Sequence, residues 1–357
     1  MTQIAVLPGD GIGPEVTAAA VRVLDAAHPG LTYVEAPIGA IAIETVGEPM
    51  PQKTIDICSQ SAAILFGAVG GPGYDHLEPG KRPEAAILGL RKQFNLYANI
   101  RPARVFSGME QRSPLRSELV DGMDLVFVRE LTGGLYFGDK SIAMEDGHET
   151  VRDVLIYRDY EIERVARFAF ALARMRGKRL MSVDKNNVLL SSQLWRRIVI
   201  EVAKEYPDVT LEHMLVDNAA MQLVRDPRAF DVIVTENMFG DILSDEAAMI
   251  TGTIGTAASA ALGAAPDANS FGLYEPISGT APDIAGKQLA NPIGAVLSAA
   301  MLARYSLGDE GGASAIERAV ADTLVNGPRT RDLDRDGGVS TDAVADAIVA
   351  RISAVTA

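Results

Sequence analysis

Short apolar runs alternate with helically spaced segments along the chain. Ile4 to Leu7, Leu31 to Val34, Ala62 to Phe66, Leu125 to Val128, Leu180 to Val183 and Val232 to Val234 are short and apolar, which predicts strands. Pro14 to Ala27, between the first two, has the spacing of a helix, so the chain opens on a β-α-β unit. Strands apolar throughout are buried on both faces, which predicts an α/β fold with parallel strands. Over Tyr160 to Met175, residues Ile162, Val165, Ala166, Ala169, Phe170 and Ala173 form one helical stripe, with Arg164, Arg167 and Arg174 off it. Trp195, flanked by Leu194 and Ile198 on a helix, is expected in the core. The basic run Arg174, Arg176, Lys178, Arg179 reads as a solvated helix end favoured by the helix dipole.

Composition narrows the class. At roughly 150 residues per domain, 357 residues predict about two domains. Hydrophobic residues make up 48% and charged ones 22%, as in a globular core. A net charge of −14 repels phosphate, so no nucleic-acid partner is expected. Apolar stretches such as Ala257 to Ala265 fall short of the ~20 residues that cross a bilayer, so no membrane association is expected. Met1 to Gln3 leads straight into the first apolar run with no basic leader, and Cys58 has no cysteine to pair with, which together predict a cytoplasmic protein.

Two motifs fail on spacing. Gly9-Asp10-Gly11-Ile12-Gly13 lies where a dinucleotide fingerprint would, but the last glycine of that pattern falls on Pro14. A tight strand-to-helix turn needing glycine at positive φ is the other reading. Asp332-Leu333-Asp334-Arg335-Asp336-Gly337 begins like a calcium loop, yet its twelfth position is Ala343, which has no carboxylate; it reads as a polar turn before the last helix.

Three segments carry candidate chemistry. In Val234 to Asp245, a helix starting near Asn237 puts Asp241 and Asp245 at i and i+4 on one face, about 5–6 Å apart at Cβ. They are either exposed carboxylates or oxygen ligands suited to Mg²⁺ or Mn²⁺. Arg91, Arg101 and Arg129 are each an ordinary salt-bridge partner when taken alone. Jointly they suggest forks for a dicarboxylate or phosphate. Lys185, after a strand, is a surface cation or a desolvated base, and Tyr136 is by default a packed aromatic in a glycine-flanked strand.

GDGIGPEV (9–16), LRK (90–92), ANIRP (98–102), RELTGGLYFG (129–138), YPDV (206–209), FGDILSDE (239–246) and APDIAGK (281–287) together resemble the β-decarboxylating dehydrogenases of the isocitrate/isopropylmalate dehydrogenase family. The match keeps the family's motif order over nearly the whole chain. It implies an α/β two-domain fold with a large mixed sheet flanked by helices, not a Rossmann fold, which accounts for the failed glycine spacing. Residues 1–99 with 252–357 would form the first domain, and 100–251 a second inserted into it. The resemblance also implies a homodimer whose two active sites each draw on both subunits.

By the same resemblance, Arg91, Arg101 and Arg129 would hold the carboxylates of a malate-type substrate. Asp241 and Asp245, with Asp217 of a second subunit, would hold Mg²⁺ or Mn²⁺. Lys185, also from the second subunit, would take the proton of the C2 hydroxyl, and Tyr136 would protonate C3. Glu84, Ile87, Leu88 and Val188 would border the alkyl group and the nicotinamide. Gly279, Ala281, Asp283, Ile284 and Asn291 would border the rest of the cofactor, expected to be NAD because a carboxylate at Asp283 suits free ribose hydroxyls. The implied activity is NAD-dependent oxidative decarboxylation of (2R,3S)-3-isopropylmalate to 4-methyl-2-oxopentanoate and CO₂ in leucine biosynthesis. The alternatives are the same chemistry on another alkylmalate, tartrate, malate or homoisocitrate, and, more remotely, a non-catalytic metabolite-binding protein. Ser278, Ala257-Ala258 and Asn186 depart from residues usual in the family, and Ala85 and Ala86 lie in a helix where relatives vary; none replaces a residue given a catalytic role.

Overall fold

The computed structural model describes residues 2–267 and 269–356. The first part of the chain forms β1 (Gln3–Gly9), α1 (Gly13–Ala27), β2 (Thr32–Glu35), α2 (Ala40–Val46), α3 (Gln52–Ser59), β3 (Ala63–Ala68) and α4 (Glu84–Gln93). There follow β4 (Ala98–Arg104), α5 (Ser117–Val120), β5 (Asp124–Glu130), the hairpin β6 (Lys140–Glu145) and β7 (His148–Asp153), α6 (Asp159–Met175), β8 (Arg179–Asp184) and α7 (Leu190–Ala203). The remainder is β9 (Thr210–Leu215), α8 (Val216–Arg225), β10 (Val232–Thr235), α9 (Asn237–Ile250), β11 (Ala258–Leu262), β12 (Gly272–Pro276), α10 (Ile293–Tyr305), α11 (Glu310–Asn326) and α12 (Thr341–Thr356). Every apolar run named above lies within or largely overlaps a strand.

Ten strands form one sheet in the order β2-β1-β3-β12-β11-β4-β5-β10-β8-β9. The expectation of parallel strands throughout is corrected here. β2, β1, β3 and β12 are mutually parallel, as are β5, β10, β8 and β9, but β11 and β4 each run antiparallel to both neighbours. Parallel neighbours need a crossover that carries the chain back along the sheet. Only the short α5 lies between β4 and β5, and no helix of the described residues lies between β11 and β12, so in both places the chain simply reverses. The result is the mixed sheet that the resemblance implied: two parallel blocks of opposite direction, joined through β11 and β4.

Helices α1, α10, α11 and α12 pack together beside the first block, and α6 with α7 and α8 with α9 cover the second. The stripe on α6 is buried as expected, and Phe168 and Leu172 widen it. Trp195 is buried against Tyr157, its indole N–H donating to Ser182 Oγ at 3.2 Å. The basic run is not merely solvated: Arg174 pairs with Asp208, and Arg176 with Asp124 and Asp231. In the Gly9–Gly13 turn, Gly9 and Gly11 take φ of 68° and 59°, and a Cβ on Gly11 would lie 2.0 Å from the Thr280 carbonyl oxygen. The motif is therefore a tight turn seated on another loop. Asp332 accepts from the Thr330, Thr253 and Asn291 side chains, and Asp334 from the Gly337 N–H, so that loop is stitched as a polar turn.

Register places the site. Residues opposite one another on neighbouring strands share a face. Glu275 lies opposite Ser259, the β11–β4 register carries Ser259 to Arg101, and Arg129 lies opposite Asn99 two residues back on β4. These residues share the face covered by α4 and α9, at the seam between the two parallel blocks. Below them on β5, Phe127 is fully buried in the cluster that seats Leu243 and Ala247 of α9. Phe127→Ala should cost about 3–5 kcal/mol, read as a lower urea midpoint with unchanged slope; a loss under about 1 kcal/mol would contradict this packing.

Candidate active site

Two strands and one helix bring the charged groups together. Arg101 stands on β4 and Arg129 on β5, at 7% and 2% exposure. Helix α9 begins at Asn237 as expected, with Glu236 as N-cap accepting from Phe239 N–H at 2.8 Å and Met238 N–H at 3.2 Å. Asp241 and Asp245 lie on one face of it, since the same Arg101 Nη1 donates to Asp241 at 3.2 Å and to Asp245 at 3.1 Å. Arg101 also donates to Ser244 Oγ at 2.8 Å and to Asn99 Oδ1 at 2.7 Å. Arg129 Nη1 donates to Asp241 Oδ1, and the Tyr136 hydroxyl donates to Asp241 Oδ2 at 3.0 Å. Close approach of α9 depends on Gly240, where a Cβ would meet the Arg129 side chain at 2.7 Å.

This crowding sets the protonation of the cluster. Burial acts to raise the Asp241 carboxyl, but Arg129, Arg101 and the Tyr136 hydrogen bond together hold it below the ordinary carboxylate range. Burial pushes Asp245 upward, against Arg101, with the Asp241 charge adding to the rise. Burial and the Arg101 charge push the Arg129 guanidinium down to about 9, opposed by Asp241, so it remains a cation at neutral pH. Burial and the Asp241 charge raise Tyr136, which keeps its phenolic proton. Tyr136 lies in a turn rather than in the strand expected for it, because Glu130 folds the chain back by accepting from the Thr132 and Gly133 N–H groups.

Arg91 adjoins this cluster, its charge acting on both Asp241 and Arg129, and the remaining predicted residues fall into separate groups. Arg91, on α4, is buried and donates to Glu275 at 2.8 Å; its Nε and Ser259 Oγ are buried with no hydrogen-bond partner among the described residues. Lys185 Nζ donates to Asp217 at 2.5 Å, and neither is bonded to Asp241 or Asp245. Among the described residues no three acidic, His or Cys side chains converge on one point. Val188 is 65% exposed. On α4, Glu84 is exposed, and Ile87 and Leu88 are half-buried.

The loop after β12 carries Gly279, Ala281, Asp283 and Ile284. Gly279 and Asp283 are exposed, and Ile12 N–H donates to the Thr280 carbonyl at 2.9 Å, joining this loop to the first turn. Gly70, held by Asp10 at 2.9 Å, approaches Glu84 so closely that a Cβ would lie 2.8 Å from its carboxylate. Asn291 faces inward, bonded to Asp332 at 2.9 Å and to the Ile293 N–H at 3.0 Å. Reading from spacing missed Asn99, Asn237, Ser244, Glu236 and Glu275. Asn237, Ser244 and Glu275 have partners far away in sequence, whereas Asn99 and Glu236 bond locally, to Arg101 and to the Met238 and Phe239 N–H groups, and the strand-to-helix junction before Asp241 was the local signal.

Known proteins resemble this chain over nearly its whole length. Residues 3–348 match the family model described as isocitrate/isopropylmalate dehydrogenase. The chain is 56% identical over 353 residues to a 3-isopropylmalate dehydrogenase of Novosphingobium aromaticivorans, covering 98% of this chain and all of that one. Identity to a protein of the same description from Geobacillus kaustophilus is 53%, covering 99% and 96%. An isocitrate dehydrogenase structure from Methylococcus capsulatus superposes with a TM-score of 0.88 at 36% identity over 99% of both chains.

The opposed shifts of the two aspartates have opposite consequences. A depressed carboxyl contributes stability present above its unfolded pKa and lost as pH falls through the folded value; Asp241 is of this kind, and Asp245 is the reverse. In metal-free protein at pH 7, Asp241→Asn should lower stability by about 2 kcal/mol, less than for a fully buried pair, and Asp245→Asn should raise the thermal midpoint. Asp241→Asn should also flatten the loss of stability below about pH 4. Equal midpoints for the two variants would contradict this electrostatic picture.

Proposed function

The chain belongs to the isocitrate/isopropylmalate dehydrogenase family, and we propose that the charged cluster beneath α9 is the active site of an NAD-dependent decarboxylase of (2R,3S)-3-isopropylmalate, yielding 4-methyl-2-oxopentanoate and CO₂ in leucine biosynthesis. Membership makes it a β-decarboxylating dehydrogenase, working with a nucleotide cofactor and a divalent metal. The observation that carries the site assignment is the pairing of two buried guanidiniums, Arg101 and Arg129, with Asp241 and Asp245 beside the Tyr136 hydroxyl.

Arg91, Arg101 and Arg129 hold the two malate carboxylates; the unpartnered Arg91 Nε supports this, since a buried guanidinium N–H calls for an acceptor. Ile87, Leu88 and Val188 receive the alkyl group. Lys185 accepts the C2 hydroxyl proton, and Tyr136, still protonated at neutral pH, delivers one to C3. Asp241 and Asp245 offer the hard oxygen ligands that suit Mg²⁺ or Mn²⁺, one carboxylate short of a full acidic set within a single chain. When bound, such an ion supplies Lewis-acid stabilisation of negative charge on the substrate oxygens, and NAD takes up the hydride. Glu84, Gly279, Ala281, Asp283, Ile284 and Asn291 surround the cofactor. The exposed Asp283 carboxylate favours free ribose hydroxyls over a 2′-phosphate, hence NAD over NADP.

The missing carboxylate and the base come from a second copy. Lys185 and Asp217 are bonded to each other and to neither Asp241 nor Asp245, and helices α7, α8 and α9 expose apolar side chains: Leu190 is 80% exposed and Met221 and Ile242 are each 60% exposed. The hairpin β6–β7 adds Ile142 at 72% and Met144 at 70%, on a two-stranded ribbon too small to be stable unaided. A homodimer would bury both surfaces and bring Asp217 and Lys185 to the neighbouring Asp241. Within each subunit, residues 1–99 with 252–357 and residues 100–251 are assigned to two domains, each carrying one parallel block. No helix of the described residues is long and apolar enough to cross a membrane. The buried free thiol of Cys58 suits a reducing cytoplasm.

Formation of NADH, followed by absorbance across a panel of 3-alkylmalates, isocitrate, tartrate, malate and homoisocitrate with Mg²⁺, should show the highest kcat/KM for 3-isopropylmalate. Excess chelator should abolish turnover, and Mg²⁺ or Mn²⁺ should restore it. Preference for another diacid would overturn the substrate assignment. Lys185→Ala should lower kcat by about 10²–10⁴-fold with substrate affinity nearly unchanged. Refolding it together with Asp241→Ala should recover about a quarter of wild-type activity, because half of the dimers formed at random then hold one complete site of two. Absence of recovery would exclude shared sites.

A further inference from the structure

Asn237 has no part in the roles above, yet it is 1% exposed and its polar groups are all engaged. Its Oδ1 accepts from Arg129 Nε at 3.0 Å and from Arg129 Nη2 at 2.8 Å. Its Nδ2 donates to the Gly133 carbonyl at 3.0 Å, and its backbone N–H donates to the Tyr157 hydroxyl at 2.9 Å. The orientation of the amide follows from these neighbours, since guanidinium donors require the oxygen and a carbonyl requires the NH₂.

A guanidinium has five N–H groups. On Arg129, Nε–H and one N–H of Nη2 go to Asn237, and one N–H of Nη1 goes to Asp241. One N–H remains on each terminal nitrogen, along the end that forks a carboxylate. We infer that Asn237 is a positioning residue that holds Arg129 so that this end meets a carboxylate of the bound diacid, and that couples the guanidinium to the turn bearing Tyr136. The inference rests on the assignment of Arg129 to a substrate carboxylate made above.

Both sides of Asn237 are braced. Glu236 caps α9 at its N-terminus and so fixes the backbone from which Asn237 projects. On the opposite side, Glu130 accepts from the Gly133 N–H at 2.8 Å, and the Tyr157 ring lies so close that a Cβ on Gly133 would be 2.7 Å from it. Gly133 therefore presents its carbonyl from a held position, three residues before Tyr136. No apolar residue could replace Asn237, because two donors of a buried guanidinium would lose their acceptor. Aspartate would supply that acceptor but would set an oxygen against the Gly133 carbonyl.

A double-mutant cycle with Arg129→Lys tests this, because lysine has no planar fork for Asn237 to orient. Titration of the magnesium-loaded protein with 3-isopropylmalate gives affinity without turnover, and steady-state assays give kcat and the KM for NAD. Asn237→Ala should weaken diacid binding about thirtyfold, or about 2 kcal/mol at 1.4 kcal/mol per tenfold, with the KM for NAD within about twofold. In the Arg129→Lys background the same change should cost less than about threefold. Asn237→Asp should recover most of the affinity but not kcat, since it keeps the acceptor for Arg129 and loses the donor to Gly133. Additive losses, or a KM for NAD that rises in parallel with the diacid constant, would overturn the inference. If Asn237→Ala does not fold, the cycle is run with Asn237→Ser under the same criteria. A wild type that binds the diacid but fails to oxidise it would defeat the reaction assigned above and leave the cycle readable, whereas one that binds no diacid would defeat both.

Discussion

Among the described residues Arg91, Arg101 and Arg129 bury their guanidinium groups, and much of the surrounding structure exists to make that tolerable. An unpaired buried cation costs several kcal/mol. Arg101 and Arg129 escape that cost through Asp241, which lies between them, and through Asn99, Ser244 and Asn237, which take up further donors. Hydrogen bonding stops short of completion. Asp245 remains half-exposed, and Arg91 keeps one N–H without an acceptor. Glu275, Asp241 and Asp245 match the three guanidiniums in number, but a buried N–H left without an acceptor still calls for one, and a diacid can supply it.

The sheet explains why these groups meet at its middle rather than beyond its strand ends. In a doubly wound parallel sheet the ligand crevice lies outside the carboxyl ends of the strands. Here two parallel blocks of opposite direction are joined through β11 and β4, and the functional residues straddle that seam. The seam strand β11 is built of Ala258, Ser259, Ala260, Ala261 and Leu262, nearly all small. Long side chains on neighbouring strands and on α4 and α9 can therefore cross over it.

Legibility from the chain varied by element in a physically regular way. Apolar runs marked β1, β2, β3, β5, β8 and β10, whereas β6, β7 and β9, exposed and mixed in polarity, left no such run. Helix α9 and the shared face of Asp241 and Asp245 were legible because i, i+4 geometry is local. Strand direction was not, since it depends on whether a connection crosses back or reverses. The turn placement of Tyr136 was missed as well, because the Glu130 carboxylate, not glycine content, folds that segment. The basic run after α6 looked solvated until Asp124, Asp208 and Asp231 arrived from other parts of the chain.

The sequence by itself determined the α/β class, the positions of six of the twelve strands among the described residues, the local geometry of α9 and, through seven ordered motifs, the family; each rests on short-range periodicity or on residue identity. Only the tertiary structure decided which way the strands run, that Arg101 and Arg129 converge on Asp241 from two different strands, and that Asn237 stands between Arg129 and Gly133. It also decided that Lys185 and Asp217 pair with each other and with neither Asp241 nor Asp245. These are long-range facts, because hydrogen-bond partners more than a hundred residues apart are chosen by how the sheet closes and by which buried charge most needs an acceptor.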